Sequence, residues 1–379
     1  MKKTIINLFL LSFLPLVSLA QSARTLCDQG LELKKNGQCK EAIEKYKLAL
    51  AADPGMTEAL YERGWCQSEL KDFAGAVSTL RKVRDVWNGI AKVHFELGYA
   101  FQQLKQKDSA LASYDRCLAI NPAYSLVFKQ RGNMMFADDD FTGALAQFAR
   151  YIENAKSEIT DYIFWYRKGY CENNGKDYVN AKASIARSIQ YKNDYTTAYL
   201  EMGYACLKLK EDDDAIKWYQ KAIELEPKSH IGYNGIAEVY RDNKRDMDMA
   251  MSWYQKTLSI NNTERKANYG MGYCLNSKQR YKEAIPYLKQ AIKSEATYSA
   301  AYTELGYSYF KTDSDNLALE NLNKAIELNP KGANQLYYAT LVYIKKKDKP
   351  NAEKMISALS NVNQKYAAEL QQKLREELP

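Results

Sequence analysis

The sequence predicts an all-α solenoid, built of stacked helix–turn–helix units and closed by a C-terminal capping helix. Three observations carry that expectation. Apolar and small residues recur at three- and four-residue spacing, which is the period of a helix and not of a strand. A small residue returns at Gly30, Gly64, Gly98, Gly132, Gly169, Gly203, Ala237, Gly272 and Gly306, mostly in steps of 34 residues. A second series keeps the same register at Ala42, Ala76, Ala110, Ala144, Ala181, Ala215, Ala250, Ala284, Ala318 and Ala352. Both series lengthen at the same places, to 37 between Ala144 and Ala181 and to 35 between Ala215 and Ala250.

The stretch Tyr199–Pro227 shows the unit. Its first helix carries Tyr199, Met202, Gly203 and Cys206, its second carries Ala215, Tyr219 and Ala222, and Pro227 closes it. Neither helix is long enough to stand alone, so each needs neighbours. A Gly or Ala in each helix lets the pair approach closely while larger side chains interdigitate around the contact. The large slots hold Leu60, His94, Phe128, Trp165, Tyr199, Tyr233 and Tyr302 at the starts of first helices. Tyr46, Leu80, Tyr114, Phe148, Tyr219, Tyr254, Leu288 and Leu322 form the second-helix seam. Pro54, Pro122, Pro227 and Pro330 stand at unit ends, where a helix cannot continue through them.

The amino terminus follows other rules. Lys2 and Lys3 precede an uncharged apolar run from Ile5 to Leu19, and Ser18 and Ala20 put small residues before Gln21. This is the layout of a secretory signal peptide over 1–20, cleaved after Ala20, and it points to export and a periplasmic location. A spanning helix needs roughly 20 apolar residues, and this run is shorter and broken by Pro15. No second long apolar run follows, so no integral membrane segment is expected after cleavage. The nearest thiol to the cleavage site is Cys27, which argues against a lipid anchor.

The remaining composition excludes several functions. The chain of 379 residues is 46% hydrophobic and 26% charged, ample for a continuous core and too apolar for disorder. Its net charge of +8 falls to +6 once Lys2 and Lys3 leave, and the bases lie dispersed among acids. Nucleic-acid binding would need them gathered on one face. The acidic run Glu211–Asp214 opens a second helix and suits its dipole, so it reads as a solvated helix start and not a metal site. The seven Cys form no CxxC pair. Cys66, Cys171, Cys206 and Cys274 fall where a small apolar residue suits helix packing, and Cys27 and Cys39 are expected to be the most exposed or paired.

A 34-residue helix–turn–helix with this small–aromatic–Ala–Pro spacing resembles the tetratricopeptide (TPR) repeat over roughly residues 23 to 352. The division is 23–56, 57–90, 91–124, 125–158, 162–195, 196–229, 230–264, 265–298, 299–332 and a degenerate tenth unit from 333 to 362. Units 1–4 thus occupy 21–158 and units 5–10 occupy 162–362, with Ile159–Asp161 an inserted joint between half-arrays and 363–379 the cap. In the tenth unit Thr340 replaces the spacer and Pro350 opens the second helix. The resemblance implies a right-handed superhelix whose concave groove is lined by first helices.

No site for chemistry stands out. The two His read as a core ring (His94) and a surface ring (His230), and HExxH, GxSxG, GxxxxGK[ST] and GxGxxG are all missing. No enzyme, cofactor or metal is expected. In the resembling family two first-helix slots project into the groove, three residues before the spacer and one after it. Here they hold Tyr61 and Trp65, Phe95 and Tyr99, Tyr166 and Tyr170, Tyr269 and Tyr273, with Tyr204 and Tyr307 following the same rule singly. Stacked neighbours would align these rings as an aromatic ladder for a peptide or protein partner, or use them to pack helix on helix. A family subgroup binds acidic carboxyl termini through a basic clamp. Lys129 and Asn133 match its opening pair, but Arg167, Thr197 and Glu201 depart from the rest, so that clamp is incomplete. The expected function is a non-enzymatic interaction scaffold binding a partner in the groove. The alternative is a structural subunit of an envelope assembly using its convex face or ends. Oligomeric state is not written in the sequence.

Overall fold

A computed structural model of the protein describes residues 22–378. The expected signal peptide, residues 1–20, lies outside the described residues. All regular structure among them is helical, and the helices pair along the chain as an all-α solenoid of repeats. Two compact units divide it, Met1–Thr160 and Asp161–Pro379.

The first unit contains a helix over 22–35 followed by Cys39–Ala52, then Thr57–Glu69 with Phe73–Val86, Ala91–Gln103 with Lys107–Ile120, and Ser125–Ala137 with Phe141–Asn154. In the second unit the pairs are Tyr162–Asn174 with Tyr178–Tyr191 and Thr196–Leu209 with Asp212–Leu225. His230–Glu238 pairs with Met247–Ile260, Arg265–Ser277 with Tyr281–Ser294, Ser299–Lys311 with Asp315–Leu328, and Ala333–Lys345 with Lys349–Ser360. Gln364–Glu377 closes the unit.

The spacer rule is steric. A Cβ at Gly98 would lie 2.5 Å from the Tyr114 ring, and one at Gly203 would lie 2.8 Å from Tyr219. Gly30, Gly64, Gly132, Gly272 and Gly306 face Tyr46, Leu80, Phe148, Leu288 and Leu322 in the same way. Ile185 fills this seam opposite Gly169, completing a series in which the sequence reading left a gap. Tyr219 is gripped a second time by Gly235, and Tyr254 is met by Gly270, each on the following first helix.

A third series appears in the turns between paired helices. Gly37, Lys71, Lys105, Asp139, Lys176, Lys210, Arg245, Gln279, Asp313 and Lys347 all adopt left-handed backbone with φ between 56° and 75°. Each ends a first helix and reverses the chain. Asp72, Asp140, Asp177, Asp246 and Asp348 then cap the second helices with their side chains.

The two irregular steps have distinct causes. Asp161 opens the second unit by accepting from the N–H groups of Ile163 and Phe164 at 3.0 and 3.2 Å. The 35-residue step is absorbed by a π turn, Val239–Lys244, that continues His230–Glu238. The preceding repeat holds this wider turn: Asn243 donates to the Leu207 carbonyl at 3.0 Å and to Asp212 at 2.6 Å, and Lys244 pairs with Asp213 at 2.9 Å. The acidic run is therefore a bridge to the next repeat as well as a helix start, because the π turn brings a donor and a cation to it.

The thiols correct one expectation. Cys27 and Cys39 are buried, 0% and 7% exposed, and all seven Cys are buried thiols outside any disulfide. Both sit with Cys66 in one apolar cluster around Tyr46, and burial pushes the Cys27 thiol up to about 11. His94 is a core ring as expected, its Nε2 2.8 Å from the Asn88 carbonyl, whereas His230 is half-buried. In the cap, Ala367, Leu370 and Leu374 are buried against the tenth repeat while Gln372, Lys373 and Arg375 are exposed. That division suits the end of a stack.

Candidate functional site

Successive first helices touch one another in both units: Thr57–Glu69 with Ala91–Gln103, and each of the five neighbouring pairs from Tyr162–Asn174 to Ala333–Lys345. Successive second helices make no comparable contact among the described residues. The first helices therefore form the inner layer, and their exposed residues form its surface.

Ten rings were expected there, and they divide. Tyr61 and Phe95 are buried, 5% and 8% exposed, so both are withdrawn from the partner-facing set. The Tyr61 hydroxyl donates to Glu96 at 3.5 Å, and Phe95 lies between Tyr114 and Tyr124 with centroids 6.1 and 5.2 Å away. Trp65, Tyr99, Tyr166, Tyr170, Tyr204, Tyr269, Tyr273 and Tyr307 are half-buried. Trp65 carries Lys34 over its face at 4.1 Å, and Tyr99 meets Phe73 edge to face at 6.3 Å.

In the second unit the rings form connected groups. Tyr166 contacts Tyr170 at 6.2 Å and Tyr195 at 5.1 Å, and Tyr269 contacts Tyr273 at 6.3 Å and Tyr298 at 5.1 Å. Tyr204 meets Tyr178 at 6.2 Å, Tyr307 meets Tyr281 at 5.7 Å, and Tyr307 also stacks on Tyr338 at 4.5 Å. Edge-to-face and offset contacts of this kind hold rings in fixed orientations. Desolvation raises the Tyr166 and Tyr269 phenols above their ordinary range and pushes Tyr307 up to about 12, so these hydroxyls stay protonated donors.

Carboxylates accompany the rings. Asn173 donates through Nδ2 to the backbone carbonyl and the Oε2 of Glu201, at 3.1 and 2.8 Å. Asn276 makes the same pair of bonds to Glu304, at 3.0 and 2.9 Å. Burial raises both carboxyls above the ordinary range, opposed by the Asn hydrogen bond. In the first unit, burial pushes Glu96 up to about 7, with Lys92 opposing.

The sequence reading missed Tyr178, Tyr195, Tyr281, Tyr298 and Tyr338, which lie outside the two slots it followed, and missed Asn173, Glu201, Asn276 and Glu304 as partners. A signal for most of them was present: Tyr178, Tyr195, Asn173 and Glu201 each recur 103 residues later. Among the described residues no group of His, Cys, Asp and Glu could hold a metal ion, and no helix is long and apolar enough to cross a membrane.

Models of the tetratricopeptide repeat match residues 27–90, 91–124, 197–229, 266–298 and 299–331. Superkiller protein 3 of Schizosaccharomyces pombe is 23% identical over 329 residues, covering 85% of this chain and 21% of its own length. A TPR repeat-containing protein of Methanocaldococcus jannaschii is 25% identical over 233 residues, covering 59% of this chain and 40% of its own. The chain thus spans well under half the length of either relative. Among solved structures, the Cut9–Hcn1 hetero-tetramer of the APC/C aligns with TM-score 0.52 and 16% identity, over 96% of this chain and 87% of that one. PilW, described as a type IV pilus biogenesis factor, aligns with TM-score 0.50 and 20% identity, over 57% of this chain and all of its own. At such identities the likeness establishes the fold.

Proposed function

Because the chain belongs to the tetratricopeptide-repeat family, whose members generally mediate protein–protein interactions, we propose that it is a non-enzymatic scaffold holding a peptide or protein partner on its inner face. One observation carries the reading: eight aromatic rings recur in two slots of the first helices and remain half-buried. Tyr and Trp offer large rigid contact area with a polar tip, at small cost in side-chain entropy. Ring-on-ring contacts within the second unit orient them before a partner arrives, which lowers the cost of binding further.

Replacing Tyr166, Tyr170 and Tyr204 together by Ala tests this. Capture of the partner from the native source should fall at least tenfold, while helical content by circular dichroism stays unchanged. A folded variant that captures as well as the parent contradicts the proposal.

Export belongs to the same proposal, supported by the charge and apolar pattern of residues 1–20. Mass spectrometry of the protein from its source should find Gln21 at the amino terminus, and Met1 retained in a cytosolic fraction would contradict export.

A further inference from the structure

The second unit carries one constellation twice. Residues Tyr166, Tyr170, Asn173, Tyr195, Glu201 and Tyr204 have identical counterparts 103 positions later, at Tyr269, Tyr273, Asn276, Tyr298, Glu304 and Tyr307. The geometry repeats with the sequence. Tyr166 and Tyr269 contact their second partner ring at the same 5.1 Å, and the Asn–Glu bonds agree within 0.1 Å. Each constellation straddles two repeats, the fifth and sixth or the eighth and ninth. Packing alone does not require the same six residues at both places, since the sixth-to-seventh contact uses Leu207 and Gly235 at the corresponding Asn and Glu positions.

At the centre of each stands a carboxylate. Its Oε2 is held by Asn, while among the described residues no donor reaches Oε1 of either Glu201 or Glu304. Among the described residues neither carboxyl forms an ion pair, burial and the Asn bond being what shifts both. Arg241 comes no nearer the second group than 5.9 Å from the Tyr269 ring centroid. The surrounding rings also attract cations, for Lys208 and Lys311 place their ammonium groups 5.2 and 5.8 Å from the centroids of Tyr204 and Tyr307. Such an acid, half-buried at Glu201 and buried with 8% exposure at Glu304, has one oxygen without a donor and is flanked by tyrosines, which makes it complementary to a basic side chain.

We propose that Glu201 with Tyr166 and Tyr204, and Glu304 with Tyr269 and Tyr307, are twin recesses that each take one Lys or Arg side chain of a single extended partner segment. The inference rests on the inner face being the binding face and adds the partner's chemistry and spacing. The recesses are three inner helices apart, about 30 Å at the ~10 Å spacing of packed helices. Extended chain covers that in about nine residues at ~3.3 Å each.

The test uses the protein without residues 1–20 and a stiff ruler, a blocked decapeptide of Lys, eight Pro and Lys, whose polyproline II backbone rises about 3.1 Å per residue. Controls replace one or both Lys by Gln. Titration calorimetry should show the two-Lys peptide binding at least tenfold tighter than the one-Lys peptide and a hundredfold tighter than the two-Gln peptide. Glu201→Gln combined with Glu304→Gln keeps an oxygen for each Asn to donate to, and should reduce all three peptides to the two-Gln level. If that double variant does not fold, each single variant should bind the two-Lys peptide no better than the parent binds the one-Lys peptide. Equal affinity for Lys and Gln peptides overturns the proposal, as does an undiminished Lys preference in the Gln variants or no binding of the two-Lys peptide at millimolar concentration. Loss of binding on Tyr166→Leu with Tyr269→Leu, without any effect of the Gln variants, leaves the inner-face reading intact and removes only the basic partner.

Discussion

In the first unit the slot three residues before the spacer holds Tyr61 and Phe95, and both rings are buried; in the second it holds Tyr166 and Tyr269, and both remain half-buried. The helices around these slots are alike, so the difference comes from the neighbours. Tyr61 gives its hydroxyl to the Glu96 carboxylate of the next repeat, and Phe95 fills a space between two other rings. In the second unit Asn173 and Asn276 take the corresponding carboxylates, which leaves the tyrosine hydroxyls uncommitted to them. At Tyr61, Tyr166 and Tyr269 the slot thus becomes packing or surface according to which side chain satisfies the acid of the next repeat.

The two units share one packing rule, in which a large second-helix side chain seats against a glycine spacer. Tyr114→Ala and Tyr219→Ala each remove a ring seated against a glycine spacer. Each should cost about 3–5 kcal/mol in chemical denaturation, the usual range for emptying a core aromatic site. A loss in only one unit would mean that the seams are not equivalent.

A smaller effect concerns the acid on the packed side. Burial holds the Glu96 carboxyl up at about 7. Between the ordinary carboxyl range and that value the folded chain keeps a proton that the unfolded chain has lost, so stability falls as pH rises through the window. Glu96→Gln should remove that slope, raising stability by about 3 kcal/mol at pH 8 relative to pH 4. Melting curves of parent and variant at the two pH values decide it.

The smallest effect lies between the twin sites. Ser308 donates to Asn276 Oδ1 at 2.7 Å, whereas the matching Asn173 Oδ1 is buried without a partner because Ala205 stands in that place. Ala205→Ser should supply the missing hydroxyl and stabilise the fold by about 1 kcal/mol. An unchanged melting temperature would show that the two sites differ more than their distances suggest.

Much of this architecture was legible in the sequence because close packing leaves a periodic mark. Gly98 and Tyr114 had to keep their separation in every repeat, so the spacer and its seam could be read by counting. The left-handed turns escaped because Lys71, Lys105 and Lys176 are not residues that favour that conformation. The π turn was visible only as a step one residue too long. Which rings face a partner was less legible, since Tyr61 and Tyr166 occupy the same slot and differ through residues a repeat away. The thiols of Cys27 and Cys39 were misjudged for a similar reason: nearness to the amino terminus says nothing about burial under Tyr46.

The measurement closest to the central claim pairs Tyr61→Ala with Tyr166→Ala, following melting temperature and partner capture per folded molecule in each. Tyr61→Ala is expected to lower the melting temperature by several degrees and leave capture unchanged. Tyr166→Ala is expected to weaken capture severalfold and leave melting nearly unchanged. The reverse pattern, or two variants that behave alike, would contradict the division of this slot between a packing ring at Tyr61 and a recognition ring at Tyr166.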